Sequence, residues 1–200
     1  LCGRLNKECN DEIRPTILLP LKRKVDFINS AELKKIKEEE KIFETAMHSD
    51  EEIQEKQKTK YKGVYLSPEN IEHEISYLKN SIMADSVLKL KKGALVMCVA
   101  NIDMESENQI VNGSQGIVVD FDNNFPVVKF RNGVIRTMTP HIWLSERIPW
   151  VGIKQIPLIL AWAITIHKAQ GVTLDVAQID AGRHIFCLLY TSPSPRDTMS

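Results

Sequence analysis

Gln155-Ile-Pro-Leu-Ile-Leu-Ala-Trp-Ala-Ile-Thr-Ile-His-Lys-Ala-Gln-Gly-Val-Thr-Leu-Asp175 is the stretch on which the reading of this chain turns. An apolar run over residues 156–164 delivers a polar cluster, Thr165, His167, Lys168 and Gln170, and Gly171 ends it. A run of this length implies burial, so its polar end sits at the rim of a core. Periodicity alone does not separate a buried strand from a buried helix. Gly171 behind two basic residues is a helix stop signal. It predicts a short strand over residues 155–158 and then a helix over residues 160–169. On that helix Ala161, Thr165 and Lys168 share one face, while Trp162, Ile166 and Ala169 share another. The second face reads as core and the first as a site.

The composition is that of an ordinary globular protein, 43% hydrophobic and 26% charged, with a formal net charge of zero. No global basicity points to a polyanion, so any nucleic-acid contact must be local, and a standalone binder is disfavoured. Cys2, Cys9, Cys98 and Cys187 lack Cys-x-x-Cys spacing, which argues against a zinc site or disulfide framework and for a reducing, intracellular setting. No apolar run reaches the length of a membrane span. The chain opens on Leu1. Residues 187–200 end in a Ser/Pro string that reads as translated adapter sequence, with a native disordered tail as the alternative.

Working outward, Pro15-Thr-Ile-Leu-Leu-Pro20 reads as a buried strand, and residues 24–37 as a helix with Val25, Ile28, Leu33 and Ile36 on one face. A strand leading into an amphipathic helix is the unit of an α/β layer. Residues 38–62 are rich in Glu, Lys and Gln. Lys56, Lys58, Lys60 and Lys62 read either as a phosphate-tracking strip or, with Glu51, Glu52 and Glu55 interspersed, as a solvated face, and the mixed signs favour the latter. Only Lys41-Ile-Phe-Glu-Thr-Ala46 suggests a strand there. Ser67-Pro68-Glu69 starts a second helix carrying Ile71, Ile75, Leu78 and Ile82. From Leu88 the period changes to short β-type runs over residues 94–101, 115–121, 127–130 and 134–138, separated by turn residues. Asn132-Gly133 carries the strongest hairpin signal, for a type I′ turn. Strands this closely spaced suggest a small barrel.

The opening stretch, with its Thr-x-His-Lys-x-Gln-Gly, resembles motif V of the Pif1-like DNA helicases of superfamily 1B. Pro15, Thr16, Val25, Asp26, Ile28 and Asn29 match a segment of the same family around motif IV, where Leu21-Lys22 replaces the usual Thr-Asn. Residues 90–101 and 111–119 and Pro140-His-Ile-Trp143 resemble its SH3-like 2B insertion. The resemblance covers residues 14–186 and implies an α/β fold, a partial RecA-like domain 2A interrupted by a β-barrel. Residues 1–87 and 154–186 would form domain 2A and residues 88–153 the barrel.

The resemblance implies an ATP-driven, monomeric motor walking 5′ to 3′ on single-stranded or forked DNA, with ATP and Mg2+ as cofactors. It also implies work in repair, recombination or telomere maintenance, in a nucleus, mitochondrion or virus-infected cell. Thr165, His167 and Lys168 would face DNA phosphates, since hydroxyl, imidazole and ammonium all donate to phosphate oxygens without reading sequence. Gln170 and Gly171 would lie at the nucleotide cleft. His141 and Trp143 would touch DNA or close the barrel onto domain 2A. The plainer reading has His167 and Lys168 complementing a helix end and Thr165 bonding back to the Ala161 carbonyl. Trp162 would pack in the core rather than stack on a base. No Gly-x-x-x-x-Gly-Lys-Ser/Thr loop or motif VI arginine pattern occurs and the Asp-Glu pair that would hold magnesium is read as missing, so these residues alone are expected to lack ATPase and unwinding activity. From another class, an SH3-like binding module over residues 88–153 is the alternative.

Overall fold

The computed structural model describes residues 13–50, 68–104, 109–170, 172, 174 and 177–179. In chain order these form β1 (Thr16–Leu19), α1 (Lys22–Lys35), β2 (Lys41–Glu44), β3 (Ala46–Ser49), α2 (Pro68–Ser81), β4 (Val87–Leu90) and β5 (Leu95–Cys98). There follow β6 (Gln115–Asp122), β7 (Phe125–Phe130), β8 (Ile135–Thr137), β9 (His141–Leu144), β10 (Val151–Gln155) and β11 (Leu158–Leu160). Last come β12 (Ala163–Thr165), α3 (Ile166–Ala169) and β13 (Ala177–Ile179). The mixed α/β character read from the sequence is present.

β1 lies at the centre of a parallel sheet ordered β12-β1-β13, with Ile17 opposite Ala163 and Thr16 opposite Ala177. Leu18 and Leu19 are buried, as a short central strand bounded by prolines requires. α1 covers this sheet through Val25, which joins Leu19 and Ala163 in a small core. The second, antiparallel sheet is ordered β11-β5-β6-β7-β8. Its inward side chains, among them Val96, Val118, Val128 and Phe130, build the main core. The expected barrel is not closed: among the described residues the two outer strands of this sheet, β11 and β8, do not pair. Its outermost strand β11 comes from beyond residue 153 and pairs with β5, Leu158 opposite Cys98.

The apolar run departs most from its expected form. Residues 160–165 are not helical; the run makes β11 and β12, and only Ile166–Ala169 turn helically. Its backbone serves two sheets in succession. Ala161 N–H donates to the Leu95 carbonyl at 3.0 Å, and the Trp162 carbonyl accepts from Ile17 N–H at 2.9 Å. A segment buried on both faces needs no alternation and shows no helical stripe, so pairing partners far away in sequence decided its form. The strand expected over 155–158 is split by Ile156-Pro157 into the end of β10 and the start of β11.

Two further expectations change. The type I′ hairpin is at Asn123-Asn124, where φ is +47° and +69°; at Asn132-Gly133 only Gly133 is positive, at +88°. The β7–β8 connection is instead a wider loop, closed by Phe130 N–H to the Val134 carbonyl at 2.8 Å, with Asn132 Oδ1 accepting from Val134 N–H at 3.1 Å. And residues 47–49, read as part of a solvated stretch, join Ala46 in β3 against β10. Lys56, Lys58, Lys60 and Lys62 lie outside the described residues, as do Ser67, Gly171 and residues 187–200.

Candidate nucleic-acid interface

β12 ends at Thr165, opposite Leu19, so Thr165 stands at the carboxyl end of a parallel strand pair. That is where open α/β sheets place ligands. Thr165 is extended, at φ −77° and ψ 148°, and its Oγ1 accepts from Lys168 N–H at 3.2 Å. The hydroxyl therefore caps α3 and does not bond back to Ala161, whose carbonyl accepts from Thr16 Oγ1 at 2.7 Å. Ile166 and Ala169 pack against a buried cluster that contains Leu18, Met97 and Ile164. With those two inward, His167 and Gln170 are exposed.

Lys168 is neither exposed like His167 nor buried. Its ammonium donates to the Met83 carbonyl at 3.1 Å and to Asp85 Oδ1 at 3.3 Å. A cleft of about 100 Å³ opens beside it, lined among others by Lys22, Asp26, Asn29, Asp85, Thr165 and Lys168. The predicted shared face of Ala161, Thr165 and Lys168 therefore does not exist as a helix face. Thr165 and Lys168 still border one cleft, brought there by a strand end and a single helical turn. Gln170, expected at a nucleotide cleft, follows α3 as its cap residue, with N–H donating to the His167 carbonyl at 3.3 Å; its companion Gly171 is outside the described residues.

His141 and Trp143 are the half-buried positions of β9, with rings edge to face at 4.7 Å between centroids. Trp143 packs on the same buried cluster as Ile166 and Ala169. Burial pushes the His141 imidazole below its usual range, which disfavours its cationic form. Both traits suit packing better than phosphate neutralisation. Trp162, half-buried, packs against both large cores, in line with the core reading.

Two residues around the cleft carry structural roles that the sequence reading left unassigned. Asn29, buried on α1, donates from Nδ2 to the Ala163 carbonyl and accepts at Oδ1 from Ala163 N–H, both at 2.9 Å. Its signal was a polar residue one turn from both Val25 and Leu33 on the covered face. Asp85 had no signal: it lies in the connection from α2 to β4, and only the fold brings it to Lys168.

The family model for the DNA helicase Pif1, 2B domain, matches residues 75–121, from within α2 to β6. The ATP-dependent DNA helicase PIF1 of Xenopus laevis is 41% identical over 101 residues, 48% of this chain and 16% of the frog protein. Among solved structures, the Pif1 helicase of Candida albicans aligns with TM-score 0.62 and 27% identity, over 88% of this chain and 41% of that one. The chain is similar to the Pif1 helicases in sequence and in fold. A Pif1 from Bacteroides, solved bound to single-stranded DNA, aligns with TM-score 0.53 and 26% identity over 87% of this chain and 36% of that one. The chain thus spans about a sixth of the frog relative in the matched stretch, and under half of each of these solved chains. The structural match, over 88% of this chain, extends well past residues 75–121.

Proposed function

We propose that the chain is part of an ATP-dependent 5′-to-3′ DNA helicase, contributing a RecA-like domain 2A and its SH3-like 2B insertion. In this reading residues 155–175 act as motif V and meet single-stranded DNA. The observation that carries it is the turn from Thr165 to Gln170, placed at the carboxyl end of the β1–β12 pair with His167 outward and Lys168 at a cleft rim. Donors there suit phosphate oxygens, contacts that carry no sequence information, as a motor that walks on any sequence requires. Gln170 and Gly171, directly after α3, would sense the nucleotide, and a shift of that turn would move Lys168 with it. The motor would act inside the cell and as a monomer.

The relatives' names carry ATP dependence and Mg2+ is expected from the family resemblance alone, but this chain's residues do not fit them as a complete site: no phosphate-cradling glycine loop with Lys-Ser/Thr occurs in the sequence. The nucleotide contacts would therefore come chiefly from other parts of the protein. A freestanding SH3-like module is less well supported, because the antiparallel sheet draws β11 from outside residues 88–153. The test is direct. The purified chain should bind a single-stranded oligonucleotide in preference to a duplex, and should not turn over ATP with DNA present. DNA-stimulated ATP turnover would refute the inactivity; absence of single-strand binding would refute the interface.

A further inference from the structure

Lys168 meets the segment that joins α2 to β4, and that segment is held firmly. Ala84 is buried. The Gln155 amide lies within hydrogen-bond distance of the Asp85 carbonyl at 3.0 Å and the Ser86 carbonyl at 3.3 Å, and Thr45 N–H donates to the Ser86 carbonyl at 2.9 Å. The Asp85 backbone is thus fixed while its carboxylate, 48% exposed, faces the cleft and the Lys168 ammonium. Lys22 and Asp26 of α1 line the same cleft, so its mouth carries two cations and two anions.

We propose that Asp85 is a positioning residue that occupies Lys168 in place of a DNA phosphate and is exchanged for one when single-stranded DNA binds. The inference rests on the DNA-interface reading above. An ammonium is a point charge with three donors and no preferred fork, so one carboxylate oxygen and one phosphate oxygen are equivalent acceptors for it. The Met83 carbonyl contact is neutral and survives the exchange. The ion pair to be broken is partly exposed on both sides, the kind that contributes little and is screened by salt. A polyanionic strand can therefore displace it, while without DNA it keeps the long Lys168 side chain gathered at the rim.

The experiment measures binding of fluorescein-labelled oligothymidine by the whole chain and by Asp85→Asn, Asp85→Glu, Lys168→Ala and the double variant Asp85→Asn/Lys168→Ala. Asp85→Asn should bind about two- to fivefold more tightly, the range to which an exposed ion pair corresponds. Asp85→Glu should stay near wild type, and the Asp85→Asn gain should vanish in the Lys168→Ala background. Equal gain in both backgrounds would reduce Asp85 to general repulsion and overturn the proposal, as would no gain at all. If wild type binds through Lys168 while Asp85→Asn is neutral, the Asp85 inference alone falls. If no variant binds the oligonucleotide, the DNA-interface reading falls and the inference with it. Unfolding midpoints of all variants separate loss of binding from loss of fold.

Discussion

Asn29 does for β12 what a further strand would do. Ala163 points its N–H and carbonyl away from β1, towards α1, and the two atoms of one side-chain amide satisfy both. A sheet edge is thereby closed by a helix, and the strand that leads into Thr165 is held in register. Asn29→Ala leaves both groups buried without those partners and should cost about 1–3 kcal/mol, seen as a lower urea midpoint with unchanged slope. An unchanged midpoint would mean that water or a shifted strand replaces the amide. Legibility at this scale was uneven. The helical spacing of Val25, Ile28, Leu33 and Ile36 marked a covered face, and the buried Asn29 lies with Val25 and Leu33. The meaning of its polar member depended on a strand 134 residues away, which no local pattern encodes. Thr165 was read as a mid-helix hydroxyl on a face with Ala161 and Lys168; its acceptor role towards Lys168 N–H followed once the helix proved to start there.

Among elements, the strong local signals were those written in turn and helix chemistry. α1, α2 and the β-rich middle follow from period changes and breakers, whereas the apolar run over residues 156–164 carried no period and went to strand. Asn123-Asn124 shows the limit of a turn rule. Glycine normally supplies positive φ, and here two asparagines adopt it, with Asn124 Oδ1 accepting from Lys41 Nζ at 2.9 Å and Asn123 Nδ2 donating to Asp122 Oδ1 at 3.1 Å. Asn123→Ala should therefore destabilise by about 1 kcal/mol, while Asn123→Gly should remain within about 0.5 kcal/mol of wild type. Thermal or urea unfolding of the pair decides it. Equal effects would indicate that the lost side-chain bond, not the backbone, sets the cost. Gly116 in β6 is a stricter case: an added Cβ would lie 2.6 Å from Val128 Cγ1 and 2.8 Å from the Lys129 carbonyl. That close approach of β6 and β7 was not visible in a lone glycine within a strand pattern.

Over the whole molecule, the parallel and antiparallel sheets are joined by buried polar side chains as well as by apolar packing. Gln115 of β6, fully buried, donates to Thr16 Oγ1 of β1 at 2.9 Å, and Thr16 in turn donates to the Ala161 carbonyl between β11 and β12. The apolar run thus ties to both layers before it emerges at Thr165. The α/β order followed by a β-rich insertion was readable from the change of period, but which strands pair across that boundary was not. The proposed interface rests on one claim, that Lys168 meets a phosphate of single-stranded DNA. The most direct measurement is the salt dependence of oligothymidine binding by wild type and Lys168→Ala. The account predicts weaker binding for Lys168→Ala and a log–log salt slope shallower by about 0.7, one phosphate contact on a single strand. Unchanged affinity and an unchanged slope would contradict it.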